Sequence, residues 1–123
     1  MKITTNFSLE EFESKDGAEM SLEVLENITV LCENLQVLRE KIDKPITVTS
    51  GYRSPSHNKK IGGAKNSFHV RGMAADIKAE GFTPKELIDV IEELIEEGLM
   101  VPGGIGEYSS WVHYDIRGYN AKW

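Results

Sequence analysis

The sequence predicts an α+β domain: a small, mainly antiparallel sheet with helices packed against it. Three observations carry this. Apolar residues recur at helical spacing in two long segments. Two short stretches rich in β-branched or small residues, Ile46–Ser50 and Ala74–Lys78, read as strands. Near the end, Ile105–Tyr108 and Trp111–Ile116 sit close enough to form a hairpin across Ser109-Ser110.

In chain order, Phe7-Ser8-Leu9-Glu10-Glu11-Phe12 reads as a helix start, with Ser8 and Glu11 as a capping box and Phe7 against Phe12 as a hydrophobic staple. Lys15-Asp16-Gly17 is a turn. A longer helix begins at Ser21; its apolar positions are Leu22, Leu25, Ile28, Cys32, Leu35, Leu38 and Ile42, and Asp43-Lys44-Pro45 ends it. Its Glu and Arg residues read as a solvated face. After the first strand, Gly51–Ser56 is a loop, followed by a short helix to about Ile61 that Gly62-Gly63 stops. Thr83-Pro84-Lys85-Glu86 combines a cap, a proline at the first helical position and a glutamate at the third. Leu87, Ile88, Ile91, Leu94 and Ile95 form the buried stripe of that helix, Gly98 stops it, and Pro102-Gly103-Gly104 is a turn.

With 123 residues and no linker, repeat or low-complexity stretch, the chain reads as one domain spanning 1–123. A chain this long buries a real core without disulfides. Cys32 is the single cysteine, which excludes a disulfide framework and a Cys-rich metal cluster, and its place in an apolar pattern makes it a packing residue. The net charge of −6 argues against a nucleic-acid partner, which needs clustered Lys and Arg. No apolar run is long enough for membrane insertion. The first residues lack the apolar core of a signal peptide, so the expected location as synthesised is cytoplasmic.

The stretch Ser67-Phe68-His69-Val70-Arg71-Gly72-Met73-Ala74-Ala75-Asp76 reads S-x-H-x-x-G-x-A-x-D. A neutral imidazole and a carboxylate together suit zinc, and the small residues between them let the backbone fold closely around an ion. A second pair, His113 and Asp115, offers the rest of a site. His69, Asp76 and His113 make the three protein ligands a catalytic zinc centre usually has. Alternation along the last strand puts Trp111, His113 and Asp115 on one face. Asp115 then either orients the His113 ring or serves as a base toward water at the metal.

Arg53 follows the first strand and is suited either to capture a carboxylate or developing oxyanion, or to tie its loop to a neighbouring acid. Ser67 either contributes a hydrogen bond beside the metal or caps the local turn. Glu107 is a carboxylate on the hairpin, site-facing or simply exposed. Trp111 and Trp123 are candidates to line a substrate groove, with core packing as the alternative. His57, in Ser54-Pro55-Ser56-His57-Asn58, reads as a helix-start residue rather than a ligand.

Taken together these residues resemble the zinc D-Ala-D-Ala carboxypeptidases and L-alanyl-D-glutamate endopeptidases, whose fold is shared with the Hedgehog signalling domain. The similarity is greatest to the short bacterial and phage-type branch. It is carried by Asn6-Phe7-Ser8, Thr49-Ser50-Gly51-Tyr52-Arg53-Ser54, Gly62–Ser67, the His69 to Asp76 motif and Val112-His113-Tyr114-Asp115. The resemblance implies a Hedgehog/DD-peptidase-like fold, zinc on His69, Asp76 and His113, and substrate binding by Arg53. It also implies hydrolysis of peptide bonds in peptidoglycan stem peptides. Many members carry a general base as H-x-H, D-x-x-H or E-x-x-H before the last histidine; here those positions hold Trp111 and Ser110. Asp115, in the H-x-D pattern of related wall endopeptidases, is the first substitute and Glu107 the second.

Two functional expectations follow. One is a zinc peptidase acting on stem peptides, reaching the wall through a holin or another export partner. The other is a wall-binding or phage structural module that keeps the fold without cleaving.

Overall fold

Strand alternation gives the domain two different faces, and the site lies on one of them. The computed structural model describes residues 1–123. Its five strands are β1 (Ile46–Ser50), β2 (Ala74–Ala79), β3 (Gly104–Glu107), β4 (Val112–Asp115) and β5 (Ala121–Lys122). They form one sheet in the order β1-β2-β4-β3-β5. The β1–β2, β2–β4 and β3–β4 pairings are antiparallel, as expected; β3–β5 is parallel and was not anticipated. In register, Ile77 pairs with Val112, Ala75 with Tyr114, and Tyr114 with Ile105. These residues share a face and are buried in the core. The intervening residues Asp76 and His113 also pair with each other and therefore share the opposite face.

The helices cover the apolar face. Helix α1 (Leu22–Ile42) is capped by Ser21, whose hydroxyl accepts from the Val24 N–H at 3.2 Å. Its fully buried residues include Ile28, Leu31, Cys32, Leu35 and Leu38. Val24, Ile28, Leu31, Leu35 and Leu38 follow a three-four spacing that turns one stripe inward. Leu22, expected within that stripe, is 73% exposed, because two residues before Val24 and six before Ile28 it points to the other side of the helix. Helix α3 (Pro84–Glu96) starts with the reciprocal box expected: Thr83 accepts from the Glu86 N–H at 3.2 Å and Glu86 from the Thr83 N–H at 2.9 Å. Leu87, Ile88, Ile91 and Leu94 are buried, while Ile95 is half-buried at the edge. Each such side chain contributes roughly 1.5–3 kcal/mol relative to exposure.

The remaining elements are short. Leu9–Phe12 is a single 3₁₀ turn, with Phe7 and Phe12 buried and their rings 6.3 Å apart. Helix α2 (Pro55–Lys60) and a second 3₁₀ turn, Phe68–Arg71, flank the loop that leads into β2. No helix is long and apolar enough to cross a membrane.

Candidate metal centre

The three predicted ligands come from three different elements. His69 lies on the second 3₁₀ turn, Asp76 at the middle of β2 and His113 on β4. Ser67 caps the turn by accepting from the His69 N–H at 3.2 Å. The carbonyl of His69 accepts from the Arg53 N–H at 3.0 Å, which ties this turn to the exit of β1. The β2–β4 register then places Asp76 directly opposite His113.

The donor atoms converge. His69 Nε2 lies 3.2 Å and His113 Nδ1 3.5 Å from Asp76 Oδ1. One donor from each residue falls within 4.8 Å of the other two. A tetrahedral zinc about 2.0–2.1 Å from each donor would hold ligands about 3.3 Å apart. The two separations to Asp76 Oδ1, 3.2 and 3.5 Å, match that requirement, and the histidine–carboxylate set suits zinc.

The other nitrogen of each ring is already held. His69 Nδ1 donates to the Gly51 carbonyl at 2.8 Å, which leaves the Nε2 lone pair facing the centre. His113 Nε2 stands 2.6 Å from Asp115 Oδ2, which leaves Nδ1 inward. Burial disfavours the ionised form of Asp76, but bonds from His113 and His69 outweigh it and hold the carboxyl well below the usual carboxylate range. Burial likewise favours a neutral His113 ring, yet the Asp115 and Asp76 carboxylates outweigh it and raise its pKa, so a proton competes with a metal at this ring.

Asp115 is fully buried and saturated. Its oxygens accept from the Gly104 N–H at 2.8 Å, from Arg117 Nε at 2.9 Å and Nη2 at 2.8 Å, and from His113. This geometry corrects the expectation of a base: the carboxylate lies behind the His113 ring, away from the converging donors. It fits the other reading, in which Asp115 orients His113. Burial opposes its ionisation, but the His113, Arg117 and Gly104 bonds keep it strongly ionised. Two glycines make room for this arrangement. A Cβ on Gly103 would lie 1.6 Å from the Asp115 carbonyl oxygen, and one on Gly104 would lie 2.4 Å from Asp115 Oδ2. The expected turn at these glycines is thus the start of β3 and a point of close approach.

Glu107 is also corrected. It pairs with Val112, so it shares the face opposite His113, and it is exposed. Arg53 does what the tie reading expects: Nη2 reaches Asp76 Oδ2 at 3.2 Å, Nε reaches Ser50 and Nη1 reaches Asn58. It nonetheless lines the cleft above the centre.

That cleft has a volume of about 490 Å³. Arg53, Ser67, Phe68, Tyr108, Arg117 and Trp123 line it together with His69 and His113, and the Arg117 guanidinium lies 4.3 Å over the Phe68 ring. A larger hollow of about 620 Å³, beside Glu92, Glu96 and Lys122, contains no imidazole. Trp111 is absent from the cleft lining. It stacks instead on Tyr108, with centroids 4.8 Å apart and planes within 7°. Trp123 does line the cleft and lies 4.8 Å from the His113 ring. His57 lies on α2 and is not among the converging donors. Sequence reasoning missed Arg117 and Tyr108. Arg117 follows Asp115 by two residues, and that short acid–base spacing was its available signal.

Comparison with known proteins agrees with this architecture. The chain is 48% identical over 59 residues to the zinc D-Ala-D-Ala carboxypeptidase of Streptomyces albus G, covering 46% of this chain and 23% of that protein. It is 35% identical over 79 residues to the peptidoglycan L,D-endopeptidase MepK of Escherichia coli K12, covering 58% of this chain and 40% of that one. The chain thus spans less than half the length of either relative. The crystal structure of the Serratia marcescens L-Ala D-Glu endopeptidase ChiX shares the fold, with a TM-score of 0.54 at 18% identity, covering 79% of this chain and 88% of that one. The profile of the peptidase M15 family matches residues 5–115, and the chain belongs to that family.

Proposed function

We propose that the protein is a zinc-dependent peptidase that hydrolyses peptide bonds in peptidoglycan stem peptides, as a carboxypeptidase or an endopeptidase. The observation that carries the reading is the convergence of His69 Nε2, Asp76 Oδ1 and His113 Nδ1, with the second nitrogen of each imidazole separately held. Zinc bound there supplies an acidified water and polarises the scissile carbonyl. The activities named for the Streptomyces and Escherichia relatives support the substrate class.

The protein's own groups divide the remaining work. His69, Asp76 and His113 hold the ion, and Asp115 with Arg117 fixes the His113 ring. Arg53 engages Ser50, Asn58 and Asp76 through three of its N–H groups. A guanidinium has five such donors, so two remain for a substrate carbonyl or carboxylate. Phe68 and Trp123 give the cleft apolar walls against which a peptide is oriented. Passage to the wall through a holin or another export partner completes the proposal, and cell fractionation with and without such a pore tests it.

The test is mass spectrometry of purified muropeptides after incubation, together with zinc analysis. The wild type should release soluble peptide, and His113→Ala should lose both zinc and release. A zinc-loaded wild type that releases nothing contradicts the reading.

One observation favours a second reading, a wall-binding module that does not cleave. Apart from the ligand Asp76, the centre has no carboxylate turned toward it: Asp115 is saturated behind His113 and Glu107 is on the other face. That module would sediment with sacculi and release no soluble peptide.

A further inference from the structure

Breaking a peptide bond requires a proton for the departing amine, and elimination among the groups around the cleft leaves one source. His69 and His113 have both ring nitrogens committed, one inward and one to Gly51 or Asp115. Asp76 is a ligand, and the guanidiniums of Arg53 and Arg117 do not give up protons near neutrality. The Ser67 hydroxyl caps the turn that carries His69 and, as an aliphatic alcohol, is a far weaker acid than a phenol. There remains Tyr108, whose ring borders the cleft.

Tyr108 is held on two sides. Its ring lies flat on Trp111. Its hydroxyl oxygen accepts from Trp123 Nε1 at 3.0 Å. With that lone pair filled, the phenolic O–H is free to donate. Trp123 is itself fixed: its backbone N–H donates to Ile105 at 3.0 Å and its carbonyl accepts from Glu107 at 2.8 Å. The indole lies over Gly106, where a Cβ would come within 2.6 Å of Nε1 and 3.0 Å of the Tyr108 ring. Gly106 is the register partner of His113. The glycine thus lets Trp123 and Tyr108 settle on the same face as the metal ligands. Both strand residues facing this site across β3, Gly104 and Gly106, are glycines, each with a side chain from elsewhere occupying the vacated space.

We propose that Tyr108 is a catalytic residue that donates its hydroxyl proton to the leaving amine, and that Trp123 is its positioning residue. The proposal rests on the peptidase reading above. In the step, the oxygen of a water joins the carbonyl carbon and the C–N bond breaks. The amine nitrogen takes the proton from Tyr108 Oη, and the phenolate recovers a proton released by the water. The products are one carboxylic acid and one amine, with the tyrosine regenerated. The Trp123 N–H, already aimed at Oη, stabilises the transient negative charge there.

The test compares zinc-loaded wild type, Tyr108→Phe and Trp123→Phe on purified muropeptides. Tyr108→Phe should bind the same equivalent of zinc and lose about a hundredfold or more in kcat, with KM nearly unchanged. Calorimetry should show weaker binding of a phosphinic peptide analogue to Tyr108→Phe, with product peptide bound as before. Trp123→Phe, which keeps a ring but removes the N–H, should show a smaller fall in kcat. Fluorotyrosine at position 108, with its more acidic phenol, should move the alkaline limb of the kcat profile to lower pH. A Tyr108→Phe protein that cleaves at the wild-type rate, or a fluorotyrosine variant with an unmoved limb, overturns the role of Tyr108 while leaving the peptidase reading intact. A zinc-loaded wild type without cleavage overturns both.

Discussion

His113 Nε2 stands 2.6 Å from Asp115 Oδ2, and Asp115 has no solvent-exposed surface. A carboxylate in that place fixes which nitrogen the ring turns inward and cannot itself reach a substrate. Arg117 completes the arrangement from the cleft side with two bonds to the same carboxylate. The chain thus builds its last candidate ligand as a three-residue unit, His113-Asp115-Arg117, along one strand and its exit.

Asp115→Asn should therefore act through the metal. We expect zinc affinity to fall by about 10–100-fold, measured by competition with a chromophoric chelator. Peptide release should largely return when zinc is saturating. A variant that binds zinc normally and stays inactive would restore Asp115 as the base.

Glu107→Gln should leave peptide release within about twofold of wild type, since an exposed surface change away from the site has little to disturb. The side chain is exposed on the face opposite His113. Steady-state rates on muropeptides check this, and a loss comparable to that of His113→Ala would refute the assigned face.

Cys32 should be inert in the folded protein. Burial, with smaller contributions from Glu11 and Glu33, pushes its thiol up to about 12, so almost no thiolate exists at pH 8. A disulfide reagent should titrate no thiol in the native state and one per chain in denaturant, matching the single cysteine. Rapid native labelling would show that α1 opens readily.

Gly103→Ala should destabilise the domain by about 1–3 kcal/mol, because the added methyl would lie 1.6 Å from the Asp115 carbonyl oxygen. Thermal melts should show a clear drop, with the exposed turn variant Ser109→Ala near wild type. Equal melting points would contradict the close approach drawn here.

The helices were legible because their signals are local. Thr83, Pro84 and Glu86 announce α3 within four residues, and the His69–Asp76 spacing places a turn residue and a strand residue in one motif. Strand β5 was not legible: two residues carry no periodicity, and Ala121–Lys122 is a strand only because β3 offers it a parallel edge. Trp111 was misassigned for a related reason. Alternation from His113 continues only while the strand does, and β4 begins at Val112. The candidate ligands His69, Asp76 and His113 were readable from residue chemistry, whereas the placement of Asp115, Glu107 and Tyr108 depended on pairing across the hairpin.

Zinc K-edge X-ray absorption of the loaded wild type tests the centre most directly. The account predicts two imidazoles with Zn–N near 2.0–2.1 Å, additional oxygen ligands and no sulfur at about 2.3 Å, and loss of the bound zinc in His113→Ala. Failure of the wild type to hold zinc, or an unchanged ligand shell in His113→Ala, would contradict it.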